Sequence, residues 1–123
     1  MTPKFHYGYT IFMKLVAELI LKSLILLLTT YIVPGFKIDS YLTALMVAVV
    51  LAILNVLIKP ILILFTLPAT ILTLGLFLFV INAVLLVIAS SLIKGFQINS
   101  FFTAIIAAIV ITLLSTILNS LLK

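Results

Sequence analysis

Four apolar runs, at about 15–33, 40–58, 69–93 and 100–122, leave this chain few ways to fold. Each is close to the ~20 residues an α-helix needs to cross a bilayer core of ~30 Å. Lipid supplies no hydrogen-bond partners, so each run must satisfy its own backbone, which a helix does. The expectation is therefore an all-α integral membrane protein with four transmembrane helices, arranged as two tandem parallel helical hairpins. Composition excludes the soluble alternative: 67% of residues are hydrophobic and 7% charged, against ~45–50% and ~25% in soluble domains. So few polar side chains could not cover the large surface of a small domain. Residues 15–123 read as a single transmembrane domain. Residues 1–14 read as an interfacial segment, because Lys4, Phe5, His6, Tyr7, Tyr9 and Phe12 suit the headgroup zone. The apolar stretch at Leu24–Leu28 has no small-residue cleavage site after it, so it reads as an uncleaved first span rather than a leader.

Helix-breaking residues separate the runs. Pro34–Gly35 ends the first, since proline cannot continue a helix and glycine enters the left-handed region freely. Asp39 or Ser40 then caps the second. Pro60 and Pro68 bracket the apolar stretch 61–67, which is too short to span. It reads as a kinked extension of the second helix, a short interfacial helix, or a re-entrant piece, the last disfavoured because irregular backbone cannot face lipid. Gly95 closes the third run. Ala44, Ala48 and Ala52 repeat every four residues in the second span, as do Ala104, Ala108, Thr112, Thr116 and Ser120 in the fourth. Small residues at that spacing let helices approach closely in lipid. Thr112 and Thr116, with Ser115 and Asn119 beside them, fit either a close-packed seam or the lining of a polar path.

The chain repeats itself at a shift of sixty residues. Gly35 to Ala44 aligns without gaps on Gly95 to Ala104, with Gly, Phe, Ile, Ser, Thr and Ala identical. Two spans per unit means that both units enter the membrane from the same side. The lysine distribution favours both termini inside: Lys4, Lys14, Lys59 and Lys123 on one side with Lys22 near it, Lys37 and Lys94 on the other.

Little chemistry is available. There is no cysteine, and His6 is the single histidine, so neither a metal site nor a Ser–His–acid constellation can be assembled. No phosphate-cradling glycine loop is present. An enzyme is not expected, nor a cofactor. The net charge of +5 is carried by lysines at membrane edges rather than by a basic stripe with interleaved aromatics, so no nucleic-acid partner is expected. Ion-coupled transport usually places acids or histidines at the midplane, and none is found there. Lys14, Glu18 and Lys22 share one helix face; they form either an interfacial first turn or a charged site facing a cavity. Asn55 and Asn82 are the strongest polar features in the second and third spans, suited to interhelical hydrogen bonds or to recognition.

Pro34-Gly35-Phe36, Asp39-Ser40-Tyr41, Asn55 with Lys59-Pro60-Ile61-Leu62, Thr66-Leu67-Pro68, Thr73-Leu74-Gly75 and Ile81-Asn82-Ala83 occur in order along the chain. Together they resemble phage-holin family four, the YvlD-type bacterial membrane proteins, over about Leu15–Leu122. This sequence departs from the family pattern at Lys59, where arginine is usual, at Lys94, where proline often stands, and at Lys22, where asparagine often stands. The resemblance implies a small four-span protein of the bacterial inner membrane with a structural, interaction or envelope-stress role. The holin name implies, as the alternative, a pore built by oligomerisation. The partners expected are the lipid bilayer and either further copies of the chain or other membrane proteins.

Overall fold

The computed structural model describes residues 3–122, with side chains described for 10–121. The side chains of Lys4, His6 and Lys123, invoked above, lie outside these. The elements are α1 (Pro3–Ile32), β1 (Phe36–Ile38), α2 (Tyr41–Leu57), α3 (Lys59–Phe65), α4 (Leu67–Leu72), α5 (Phe77–Leu92), β2 (Phe96–Ile98) and α6 (Phe101–Leu122). α1 packs against α2 and α6, and α5 packs against α6 and α2, so four helices surround a common axis.

The helix boundaries follow from local chemistry. Ser40 is the N-cap of α2, its Oγ accepting the Thr43 amide at 3.1 Å. Ser100 Oγ accepts the Thr103 amide at 3.2 Å in the same way. Gly35 and Gly95 have φ of 88° and 91°, which a side chain would resist. No proline or glycine stands between Thr10 and Leu15, so α1 runs through the expected boundary at 14–15 without a break. Pro60 loses one helical hydrogen bond, and α3 leaves α2 at 46°. The stretch 61–67 is thus a bent continuation of α2 into α3, followed by the start of α4.

Two expectations need correction. The third span, 69–93, is not one helix: Leu74 and Gly75 both take positive φ, 57° and 91°, and separate α4 from α5. Thr73 Oγ1 accepts the amide of Phe77, the first residue of α5, at 3.1 Å. The fold is also not purely helical. β1 and β2 pair antiparallel, Phe36 opposite Ile98, Lys37 opposite Gln97 and Ile38 opposite Phe96. The amides of Asp39 and Asn99 extend the ladder to the carbonyls of Gly95 and Gly35, at 3.0 and 2.9 Å.

Among the described residues, α6 is long and apolar enough over Phe101–Leu121 to cross a bilayer by itself, and the bent pair α2–α3 qualifies together. α5 is apolar but has 16 residues, about 24 Å of helix. The outer surface is apolar, with Phe65, Leu72 and Leu74 more than four-fifths exposed.

The core lies between the helices. Ile25 and Leu26 of α1, Val47 of α2, Leu85 and Leu86 of α5 and Ala107 of α6 are all buried. Ile25 and Leu85, Leu26 and Leu86, and Val47 and Ala107 are sixty residues apart. Phe36 and Phe96 are both buried beneath the ladder, their rings 5.2 Å apart and edge to face at 70°. Ala44, Ala48, Ala104 and Ala108 are buried. Ala52, expected on the same stripe, is exposed. A four-residue step overshoots a full turn by about 40°, so two steps rotate Ala52 off the contact and Leu51 replaces it.

Candidate functional site

The polar residues that the core excludes converge elsewhere on the same axis. A cleft of about 320 Å³ is lined from α1, α2, α3, α5 and α6. Lys22 enters it from α1, Asn55 from α2 and Lys59 from the start of α3. Asn82 enters from α5, and Thr112, Ser115, Thr116 and Asn119 from α6. Among the described residues no carboxylate lines it. Glu18, one turn before Lys22, is exposed, as is Lys14. Of the two readings of that lysine–glutamate face, the cavity therefore holds for Lys22.

The cleft has a floor and a mouth. Lys22 and Asn82 each stand ten residues before the ladder-side end of their helix, Ile32 and Leu92, or about 15 Å from it. Lys59 and Asn119 stand eighteen residues beyond Tyr41 and Phe101, or about 27 Å along the helix. The lining thus runs from mid-depth towards the end opposite the ladder. Below it, Leu26, Leu86, Val47 and Ala107 fill the axis, and Phe36 and Phe96 close it.

The lining groups differ in what they have left to offer. Thr112 Oγ1 donates to the Ala108 carbonyl and Thr116 Oγ1 to the Thr112 carbonyl, both at 2.8 Å. Those hydroxyls are satisfied by their own helix. Ser115 Oγ is buried without a hydrogen-bond partner. Among the described residues, the carboxamides of Asn55, Asn82 and Asn119 make no hydrogen bond, so neither Asn55 nor Asn82 is tied to a neighbouring helix. Among the described residues no group of acids and histidines could hold a metal.

Asn55, Asn82, Ser115 and Asn119, singled out from the sequence, are brought together here, and Thr112 and Thr116 line the same cleft with their hydroxyls bonded to their own helix. Lys59, an edge lysine by sequence, also lines the cleft. The signal was present. A shift of sixty carries Lys22 onto Asn82, Asn55 onto Ser115 and Lys59 onto Asn119, so the polar lining falls into pairs. The turn residues Pro34, Gly35, Gly95, Pro60 and Pro68 lie at helix ends away from the floor of the cleft.

Residues 13–117 match the family described as mycobacterial 4 TMS phage holin, superfamily IV. The chain is 43% identical over 100 residues to the uncharacterized membrane protein YvlD of Bacillus subtilis, covering 80% of this chain and 84% of that one. It is 38% identical over 86 residues to the uncharacterized protein SCO3922 of Streptomyces coelicolor, covering 67% and 69%. No solved structure matches.

Proposed function

The chain belongs to the 4 TMS phage holin family, superfamily IV, and on that premise we propose that it is a non-catalytic interaction protein of the bacterial inner membrane. It crosses the bilayer four times as two tandem hairpins, with both termini on the cytoplasmic side. The first hairpin is α1 with α2 and α3, and the second is α4 and α5 with α6. The ladder joins their turns on the far side.

One observation carries the reading. The cleft is one-ended, because buried apolar side chains and the Phe36–Phe96 pair fill the axis between it and the ladder. A single copy therefore offers ions no continuous polar path. What it does offer is an apolar outer face, through which it meets lipid, further copies or other membrane proteins.

The second reading is a pore assembled from several copies. It is favoured by the exposure of Thr116 and Asn119, which extend the polar lining to the protein surface. Thiol-reagent access at Thr112, Ser115, Thr116 or Asn119 does not separate the readings, since a one-ended cleft is also wet. Leakage does. Cells or vesicles carrying the protein at high density should retain potassium and a small dye as controls do. Growth arrest with dye release on expression would overturn the interaction role and establish the pore.

A further inference from the structure

We propose that the cleft binds a phosphate oxyanion, presented by an anionic phospholipid headgroup or as free inorganic phosphate. Lys22 and Lys59 face one cavity into which, among the described residues, no carboxylate projects. Ammonium groups at membrane depth are costly without a counter-charge, and lysine is an established phosphate partner. Around them stand donors that donate to none of the described residues: the carboxamides of Asn55, Asn82 and Asn119 and the buried Ser115 hydroxyl. The neighbouring threonine hydroxyls, Thr112 and Thr116, are already spent on helix carbonyls. The unspent groups share the cleft with the lysines, and each is able to donate to an oxyanion. At about 320 Å³ the cleft has room for roughly ten water volumes, ample for a phosphate group with part of its headgroup. The mouth at Lys59 and Asn119 lies at the helix ends, where headgroups are found. A pore role is neither required nor excluded by such a site, and unfolding midpoints report on it independently of leakage.

The test uses the full chain in neutral detergent micelles, with thermal unfolding followed by circular dichroism. Phosphatidylglycerol is titrated against phosphatidylcholine. In a separate arm without lipid, sodium phosphate is compared with sodium chloride at equal ionic strength. Lys22→Asn with Lys59→Asn copies the residues of the second half, and Lys59→Asn alone, near the mouth, guards against misfolding of the pair. Lys37→Asn with Lys94→Asn removes the same charge at the ladder end. The expected result is stabilisation by phosphatidylglycerol over phosphatidylcholine. Apparent affinity should fall at least about tenfold in the cleft pair, from a loss of about fivefold per lysine, and hold in the ladder-end pair. Stabilisation by sodium phosphate over sodium chloride that is lost in the cleft pair assigns the site to the free ion; a response to the lipid alone assigns it to the headgroup. Equal losses in the two lysine pairs, or a wild-type protein indifferent to both phosphatidylglycerol and phosphate, would overturn the proposal.

Discussion

The stretches around Gly35–Thr43 and Gly95–Thr103 build the same object, down to the φ of their glycines, their serine caps and the ring each places under the ladder. At the cleft the correspondence changes character. The first half supplies Lys22 and Lys59, and the second supplies Asn82 and Asn119 at the matching positions. Backbone geometry and packing are shared because both turns must fit against each other. Charge is not shared: lysines stand at two of these positions and asparagines at the other two. Two turns alike in geometry thus stand beside a cleft whose charges are not alike.

Substitutions made in pairs across the two halves probe that contrast. Phe36→Ala and Phe96→Ala should each cost about 3 kcal/mol, the usual toll of a large cavity, and by similar amounts, since both rings are fully buried. Unfolding in a denaturing detergent titration measures this, and a large inequality would break the symmetry of the ladder end. Asn82→Lys should destabilise by about 2.5 kcal/mol, the lower cost of a lysine at membrane depth. Lys22→Asn, the reciprocal change, should be neutral or stabilising in the same titration. Gly95→Ala should cost about 2 kcal/mol, the upper range for a left-handed residue with a side chain. A Cβ there would come within 2.5 Å of Asp39 Oδ1, whereas at Gly35 the nearest atom is Asn99 Nδ2 at 2.9 Å. Gly35→Ala should therefore cost somewhat less. Gly75→Ala should cost least of the three, since nothing lies within 4 Å and only φ opposes it. Ser40→Ala and Ser100→Ala should each cost about 1 kcal/mol as lost helix caps, the smallest paired effect.

Features set by adjacent residues were legible in the sequence. The Ser40 cap, the Gly35 turn and the bend at Pro60 each depend on a few neighbours, and apolar length alone implied a membrane. Features set by distant residues were not. The strands Phe36–Ile38 and Phe96–Ile98 are too short to show alternation, and their partners lie about sixty residues away. Gly75 was visible, but one glycine costs a helix only about 1 kcal/mol, which does not decide between a tolerated residue and a break. A four-residue spacing drifts around the helix, so Ala44 and Ala48 are buried while Ala52 is exposed. The cleft was half-legible. Its asparagines and Ser115 stood out as polar residues in apolar runs, while Lys59 looked like any lysine at a membrane edge until paired with Asn119.

The contact on which most depends is the meeting of the two turns at the ladder, which closes the axis below the cleft. The chain has no cysteine of its own, so a protein carrying Lys37→Cys and Gln97→Cys has only those two thiols. The two positions are directly opposed in the ladder, with Cα atoms about 5.5 Å apart as in a hydrogen-bonded antiparallel pair, within the range a disulfide spans. Mild oxidation of intact membranes should give a fast-migrating monomer with an internal disulfide, lost on reduction. Free thiols throughout, or cross-linking only between copies, would contradict the arrangement.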